Sequence, residues 1–484
     1  MGTLRERNAR GRSNSVKSTR GHAGGGIVIR LVLGLAAVFL FSVCQTAFAW
    51  SPEDMLATAS YPTHSCLQSF YVSTTGQDDN SGASEAEPLR TITRAASMAS
   101  PGDCVVVMPG IYQERVVISH GGNADSSTGY LTILSKVPHE AKIVPDRTTY
   151  STFVLGSGAN YVVVQGFDIQ GGTKEGVAGG GHAIDAGYGT HHDKFLSNIV
   201  HDSGGGGISA AYGDYYTIVG NIAFNNASTS KFQASGIGVY QARAISDGAP
   251  GFHIVVSGNI SYHNQEHDID GGGTHTDGNG IIIDDFHNSQ NGSKAGNYPY
   301  ETLVQNNLVF GNGGKGIQLF LSDNITVINN TSYFNNRDPL NTSRWRGELN
   351  NQVSSNNKWI NNIGVSDRTE NASNSAIGDE SCCGYVASGT VWKNNLTFNG
   401  SIGAASVLIE QTTSRILADN GNKLGIDPQF RRPSLDPARA NFRLGPTSPA
   451  IAAGIFTAQA IGIDLDGNMR SPDSVDIGAY AYRK

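Results

Sequence analysis

The sequence of 484 residues is low in charge and in cysteine. Charged residues make up 15%, but hydrophobic residues at 38% and aromatic residues at 8% are too many for a disordered chain. None of the five cysteines lies in a Cys-x-x-Cys pair, so no paired motif indicates a zinc site. The 61 glycines do not recur at every third position, which excludes a collagen helix. The formal net charge of −7 argues against nucleic acid as a partner.

The sequence has one long apolar stretch, Leu31–Val43, which follows a basic leader. Ala47-Phe48-Ala49 then gives a small-x-small cleavage pattern, so residues 1–49 are predicted to be a secretory signal peptide. An uncleaved membrane anchor is the alternative, although the stretch is shorter than the roughly 20 residues that a spanning helix needs. We therefore expect a secreted protein, extracellular or periplasmic, that has no membrane contact after cleavage.

The cysteines left after cleavage are consistent with export. In an oxidising compartment, Cys66 and Cys104 are predicted to form a disulfide. Cys382 and Cys383 are adjacent, and they form either a strained vicinal disulfide or two loop thiols.

A short motif recurs along the middle of the chain: Asn, an apolar or small residue, a small residue, then an aromatic residue or His in most copies. Its copies begin at Asn198, Asn221, Asn259, Asn307, Asn330, Asn362 and Asn395. The unit is about 23 residues with insertions, and a period in this range is typical of a solenoid. Short β-rich runs broken by Gly and Asn favour strands over helices. We predict an all-β parallel β-helix in which the Asn side chains of successive coils form a ladder.

Gly-led strands beside the Asn motifs support this stacking. Their first apolar residues form a predicted inward column, Ile184, Ile208, Ile237, Ile281 and Ile317. Three residues further on, an outward row is predicted, Gly187, Ala211, Tyr240, Asp284 and Phe320. This sheet face is the candidate substrate groove.

The ends of a solenoid need protection, because open strand edges aggregate. We predict an N-terminal cap and entry module over 50–104, with a capping helix within Leu89–Ala99. The β-helix is expected over 105–425, followed by the last coils and a C-terminal cap over 426–484. We expect a monomer.

Several segments near the ends resemble right-handed parallel β-helix proteins. The resemblance rests on Phe70–Gly82, Pro88–Ile92, Pro101–Asp103 and Pro109–Tyr112, and on the tail from Asp464 to Tyr480. The chain is most similar to pectate lyases of polysaccharide lyase family nine. This resemblance implies a right-handed parallel β-helix and a Ca²⁺ ion held by aspartates of one coil. It also implies a lysine base on the following coil.

Carried over by position, the resemblance implies that Asp277, Asp284 and Asp285 bind Ca²⁺, with Asp202 as a weaker fourth ligand. The family's lysine lies in a Gly-x-Gly-apolar-Lys pattern. In this chain Gln318 occupies that lysine position, and Lys315 lies three residues earlier.

The residues themselves point to the same stretch of chain. Nine of the thirteen histidines lie between 182 and 287, and carboxylates crowd the segment from Glu266 to Asp285. Crowded carboxylates raise one another's pKa unless a cation intervenes, and Ca²⁺ binds oxygen ligands of this kind. A solvated acidic loop is the alternative. The candidate bases are Lys315, Arg243 and His275.

The predicted substrate-binding residues are Tyr240, Gln318 and Arg346. Tyr240 lies outward one coil before Asp284, where it either stacks on a sugar ring or is an ordinary surface aromatic residue. Arg344, Trp345 and Arg346, with Glu348, are expected in a loop that forms a wall for an anionic sugar, with surface ion pairing as the alternative.

Three functions remain open from the sequence. The first is a lyase that cleaves an acidic, uronate-containing polysaccharide by Ca²⁺-assisted β-elimination. The second is a glycoside hydrolase of the polygalacturonase type, with two carboxylates as acid and base. The third is a β-helix protein that binds polysaccharide without cleaving it.

Overall fold

The computed structural model describes residues 65–124, 129–146, 149–172, 181–230, 234–245, 249–267, 274–458, 460 and 462–484. The predicted signal peptide, residues 1–49, and the start of the predicted entry module lie outside the described residues. No helix among the described residues has the length and apolar character needed to cross a membrane.

The described chain winds through three long parallel sheets, one strand of each sheet in most coils, with a separate two-stranded hairpin near the C-terminus. The first sheet consists of β1 (Ser69–Val72), β2 (Cys104–Val107), β5 (Leu131–Ser135), β8 (Val162–Gln165), β11 (Lys194–Leu196), β14 (Thr217–Val219), β17 (Phe252–Ser257), β20 (Glu301–Gln305), β23 (Ile325–Ile328), β26 (Lys358–Ile360) and β29 (Val391–Lys393).

The second sheet carries the predicted groove. It consists of β4 (Val116–Ile118), β7 (Phe153–Leu155), β10 (Ile184–Ala186), β13 (Ile208–Ala211), β16 (Ile237–Tyr240), β19 (Ile281–Asp284), β22 (Ile317–Phe320), β25 (Arg346–Gln352), β28 (Asn374–Glu380) and β31 (Val407–Glu410).

The third sheet contains the strands that begin one residue after the Asn of each repeat motif. It consists of β3 (Gly110–Tyr112), β6 (Ala141–Ile143), β9 (Asp168–Gln170), β12 (Ile199–His201), β15 (Ile222–Phe224), β18 (Ile260–Tyr262), β21 (Leu308–Phe310), β24 (Thr331–Tyr333), β27 (Ile363–Val365) and β30 (Leu396–Phe398).

The register of the second sheet confirms the predicted fold. Ile184 pairs with Ile208, and the column continues through Ile237, Ile281 and Ile317 without a shift. All five side chains are fully buried. Each buried isoleucine contributes roughly 1.5–3 kcal/mol of hydrophobic free energy, so a one-residue slip, which would turn this column toward solvent, is strongly disfavoured.

The predicted asparagine ladder is present between the first and third sheets. Each side-chain amide donates to the side-chain oxygen of the Asn in the next coil and to a main-chain carbonyl, from Asn198 through Asn395 and on to Asn422. The ladder residues are buried, and these bonds satisfy their amides in the dry core.

A second ladder, not predicted from the sequence, lies five residues further along four of these coils. It runs through Asn226, Asn264, Asn312 and Asn335. It ends on the carboxylate of Glu348, which accepts from Asn335 N at 2.9 Å and from Asn335 Nδ2 at 2.6 Å. Glu348 is therefore a buried residue of β25, and not a loop residue as predicted from the sequence.

Glu348 is expected to make the stability of the protein depend on pH. Burial raises the pKa of its carboxyl from 4.5 to about 7, so the folded state binds a proton that the unfolded state has lost. The resulting stabilisation of the folded state is complete below pH 4.5 and is lost as the pH rises through 7. Over this range the free energy of unfolding falls by up to about 1.4 kcal/mol per pH unit. We expect Glu348→Gln to remove this part of the slope of unfolding free energy between pH 5 and 7, measured by urea denaturation. Equal slopes in the two proteins would contradict the prediction.

The N-terminal end of the solenoid is closed as predicted. A disulfide joins Cys66 and Cys104. Helix α1 (Ile92–Met98) begins after Thr91, whose side chain accepts from Arg94 N, and it buries Ile92 against the first coils. Cys382 and Cys383, between β28 and β29, are free cysteines.

The segment after residue 426 runs along the side of the solenoid. The sequence had predicted the last coils and a C-terminal cap over 426–484. A 3-10 turn (Ala418–Asn420) precedes this segment, which contains the antiparallel pair β32 (Phe430–Arg432) and β33 (Asn441–Leu444). Its apolar residues cover the outer faces of β21, β27 and β30. Four asparagines in turns donate to its backbone: Asn306 to Ile463, Asn329 to Asp476, Asn361 to Ile455 and Asn394 to Ala453.

Candidate functional site

The outer face of the second sheet presents straight rows of side chains, because successive coils share one register. One row runs through Tyr240, Asp284, Phe320, Gln352 and Glu380. The neighbouring row runs through Gly238, Ile282, Gln318, Asn350 and Gly378. This face, with the loops that border it, is called the groove below.

A chain of side-chain hydrogen bonds crosses the floor of the groove over four coils. Asn279 Nδ2 donates to Ser235 Oγ at 3.1 Å and to Gln318 Oε1 at 3.0 Å. Gln318 Nε2 donates to Gln352 Oε1 at 2.9 Å. Gln318, predicted to bind substrate, therefore also orders the floor of the groove, and only 3% of the residue is exposed.

Lys315 lies just before β22, where its backbone N donates to Asn279 Oδ1 at 2.7 Å. Its Nζ donates to the carbonyl oxygen of Thr276 at 2.9 Å. Burial lowers the pKa of the Lys315 amine, and the nearby carboxylates of Asp277 and Glu380 oppose that shift. Lys315 is thus a nearly buried amine that is affected by the charges of carboxyl groups from two different coils.

Asp277 and Asp284 are half-buried carboxyls of the same coil: Asp277 precedes β19, and Asp284 is the last residue of that strand. Burial raises the pKa of Asp277 to about 6, although Lys315 lowers it in part. Burial, and then the charges of Asp277 and Asp285, raise the pKa of Asp284 well above its ordinary value. Two carboxyls with raised pKa values in one groove can hold and transfer protons near neutral pH.

Two more polar groups lie at the far end of the groove floor, on β25 and β28. Asn350 Nδ2 donates to Glu380 Oε2 at 2.8 Å, and both residues are fully buried. Burial raises the pKa of Glu380 well above its usual range. Asn350 Oδ1 and Glu380 Oε1 have no hydrogen-bond partner in the described chain. Neither residue belongs to the site predicted from the sequence.

The structure does not bring the four predicted Ca²⁺ ligands together. Asp285 starts a turn at φ 49°, and its carboxylate accepts from Ser289 N, Gln290 N and Gln241 Nε2. Asp202 lies beyond the end of β12 in the third sheet, where its carboxylate is 2.8 Å from His201 Nδ1. The hydrogen bond from His201 lowers the pKa of Asp202.

Only Asp277 and Asp284 of that set face the groove. Ca²⁺ takes six to eight oxygen ligands, so the predicted four-aspartate site does not fit the described geometry. Any cation in the groove would depend on these two carboxylates together with water or substrate oxygens.

Tyr240 and Arg243 lie at the other end of the groove from Glu380. Tyr240 pairs in register with Asp284, and its hydroxyl accepts from Asn291 Nδ2 at 2.8 Å. Arg243 lies over the ring of Tyr212, with 4.6 Å from its guanidinium carbon to the ring centroid. Tyr212, Arg243 and Asn291 border an open pocket of about 500 Å³, which Lys294 also lines. Arg243 is thus more than one coil away from Lys315.

Arg346, predicted to bind substrate, is only 1% exposed, and it forms hydrogen bonds with the backbone instead. Its guanidinium donates to the carbonyls of Asn336 and Asn341, so it fixes the loop between β24 and β25. Its neighbours, the exposed Arg344 and the half-buried Trp345, bind the carboxylate of Glu410 on β31. The predicted wall therefore consists of a Trp, an Arg and a Glu, without Arg346 at its surface.

His275, the third candidate base, lies in the loop before β19. Its Nδ1 is 2.5 Å from Asp338 Oδ2. Asp338 belongs to the loop that Arg346 fixes, so the pair joins the two loops on one side of the groove.

Comparison with known proteins supports the fold without identifying the activity. Residues 74–117 match a family described as a protein of unknown function, DUF1565. No curated protein matches the chain. The fold and the groove define a parallel β-helix protein with a polar, carboxyl-lined outer face.

Several solved structures are similar in fold. Pectate lyase Pel9A is 14% identical, with a TM-score of 0.48 over 89% of this chain and 99% of its own. A rhamnogalacturonan lyase is 12% identical, with a TM-score of 0.43 over 77% and 92%. The mannuronan C-5 epimerase AlgE4 A-module of Azotobacter vinelandii is 12% identical, with a TM-score of 0.33 over 67% and 91%. These names belong to carbohydrate-active enzymes, but likeness at this level carries no argument about the reaction of this chain.

Proposed function

We propose that this protein is a secreted polysaccharide lyase that binds a uronate-containing polysaccharide along the groove and cleaves it by β-elimination. The observation that carries the proposal is Lys315, a nearly buried amine beside the floor of the groove that donates to Thr276 O and has a lowered pKa. A lowered pKa increases the fraction of neutral amine, which is the form that can remove a proton.

In the proposed reaction, neutral Lys315 Nζ removes the proton from C5 of a uronate. The electron pair of that C–H bond forms the C4=C5 double bond as the C4–O4 bond breaks. The leaving O4 takes a proton from water, and the Lys315 ammonium returns its proton to solvent. The amine can donate a hydrogen to Thr276 O and still present its lone pair.

The charges along the groove are compatible with an acidic polymer. The raised pKa values of Asp284 and Glu380 favour their neutral forms, which reduces repulsion of a polyanion. Arg243 and Lys294 add positive charge at the Tyr240 end. Asp277 and Asp284 would be the residues that hold Ca²⁺ if the reaction uses it. A bound cation would neutralise the uronate carboxylate and acidify the C5 proton.

A glycoside hydrolase is the second candidate, favoured by the two half-buried carboxyls Asp277 and Asp284. In a hydrolase, the carboxyl with the higher pKa acts as the acid and the other as the base or nucleophile. Their raised pKa values are of the kind that this chemistry needs.

Incubation of the purified protein with a panel of acidic polysaccharides separates these functions. Each reaction is run with Ca²⁺ and with chelator, and both ultraviolet absorbance and reducing ends are measured. The lyase proposal predicts new reducing ends together with absorbance from a 4,5-unsaturated product. Reducing ends without absorbance would establish the hydrolase instead. Retention of polysaccharide without any product would contradict both enzymes and support the binding protein.

A further inference from the structure

Three buried side chains from separate parts of the sequence meet beside the groove. They are Glu266, His275 and Asp338, which are 1%, 8% and 1% exposed. One possible ligand atom from each lies within 4.8 Å of the other two. They are the one group of three or more His, Cys, Asp or Glu side chains in the described part of the chain with this geometry.

The backbone holds both carboxylates by one oxygen each. Glu266 Oε2 accepts from Thr276 N at 2.8 Å and from Asp277 N at 3.1 Å. Asp338 Oδ1 accepts from Leu340 N at 2.8 Å. Hydrogen bonds of this kind orient metal ligands and leave the second oxygen for the ion.

The other carboxylate oxygen of Glu266 also points to a bound cation. Glu266 Oε1 is buried and has no hydrogen-bond partner among the described residues. An unpaired carboxylate oxygen in the interior costs free energy unless a cation or a proton compensates it.

We propose that Glu266, His275 and Asp338 bind one divalent transition-metal ion of the Zn²⁺ class. An imidazole nitrogen with two carboxylate oxygens suits Zn²⁺, whereas Ca²⁺ prefers oxygen ligands alone. The ion replaces the hydrogen bond between His275 and Asp338, and the proton of that bond is released to solvent. The site contains none of the four aspartates predicted to bind Ca²⁺.

The metal would fix one wall of the groove. His275 belongs to the loop before β19, and Asp338 belongs to the loop before β25 that Arg346 already fixes. Thr276, next to His275, accepts the hydrogen bond from Lys315. The inference does not rest on the proposed lyase activity, because its readout is metal binding without substrate.

The test is calorimetric titration of the purified, chelator-treated protein with ZnCl₂ and, separately, with CaCl₂. We expect one Zn²⁺ per chain, with weaker binding of Ca²⁺. His275→Ala and Glu266→Gln should each weaken Zn²⁺ binding at least tenfold, whereas the control His120→Ala, in a distant coil, should not.

Circular dichroism checks that each variant is folded. If only one of the two variants folds, its Zn²⁺ affinity is sufficient for the test. Failure of the wild-type protein to bind Zn²⁺ would overturn the proposal. Unchanged affinity in a folded His275→Ala or Glu266→Gln variant, or equal affinity for Ca²⁺, would also overturn it.

Discussion

Replacing Lys315 with methionine is expected to lower the rate of polysaccharide cleavage at least 100-fold, because the proposed base is removed. Methionine keeps an unbranched apolar chain of similar length in the nearly buried site, so the fold should be retained. Binding of the polysaccharide should change by only a few fold, since the amine acts on the C5 proton in the transition state. The rate is measured as the increase in ultraviolet absorbance of unsaturated product, and binding by affinity electrophoresis.

The matched control is Lys393→Met, which changes an exposed lysine on β29 in the first sheet and should leave the rate unchanged. The pH profile gives a second readout. The wild-type rate should rise with pH through the lowered pKa of Lys315, below the ordinary value of 10.5. A Lys315→Met variant that keeps more than a tenth of the wild-type rate would exclude Lys315 as the base.

The second large effect is expected on stability, from Asn307→Ala in the middle of the first ladder. Asn307 Nδ2 donates to Val256 O and Asn330 Oδ1, and its Oδ1 accepts from the backbone and side chain of Asn259. Alanine leaves several of these buried groups unpaired, and each one costs roughly 1–3 kcal/mol. We expect the free energy of unfolding to fall by about 3–5 kcal/mol, measured by urea denaturation.

An exposed asparagine provides the control for that variant. Asn297→Ala, in the loop after β19, should change the free energy of unfolding by less than about 0.5 kcal/mol. A ladder variant that is no less stable than this control would show that the amide ladder contributes little to the fold.

The repeating parts of the molecule could be predicted from the sequence because each coil depends on its neighbours. The spacing of the Asn motif gave the first ladder, and the Gly-led strands gave the inward isoleucine column. The same register placed Tyr240, Asp284 and Lys315 on adjoining coils, as the structure has them. The second ladder could also have been found, since its asparagines follow those of the first ladder by five residues in four coils.

The sequence contains only a weak indication of the path that the C-terminal segment takes. The coils that it covers carry a pair of asparagines, as at Asn306-Asn307 and Asn361-Asn362, where earlier coils have Ser or Gly before the ladder residue. The first residue of each pair donates to the covering segment. A single repeat read in isolation does not reveal that partner.

The side chains of the inserted loops could not be placed from periodicity. His275 and Asp338 are separated by 63 residues, and no motif joins them. Asp285 follows Asp284 directly, but a left-handed turn directs its carboxylate to loop backbone and away from a metal. Arg346 was expected at the surface, but it is buried because three backbone and side-chain oxygens surround its guanidinium.

The proposed function requires that polysaccharide lies along the outer face of the second sheet with a cleavable uronate at Lys315. The most direct measurement is a crystal structure of Lys315→Met bound to an oligosaccharide from a cleaved polymer. We expect sugar rings over β16 to β25, with C5 of one uronate next to the methionine side chain. Sugar bound to the first or third sheet, with the groove empty, would contradict it.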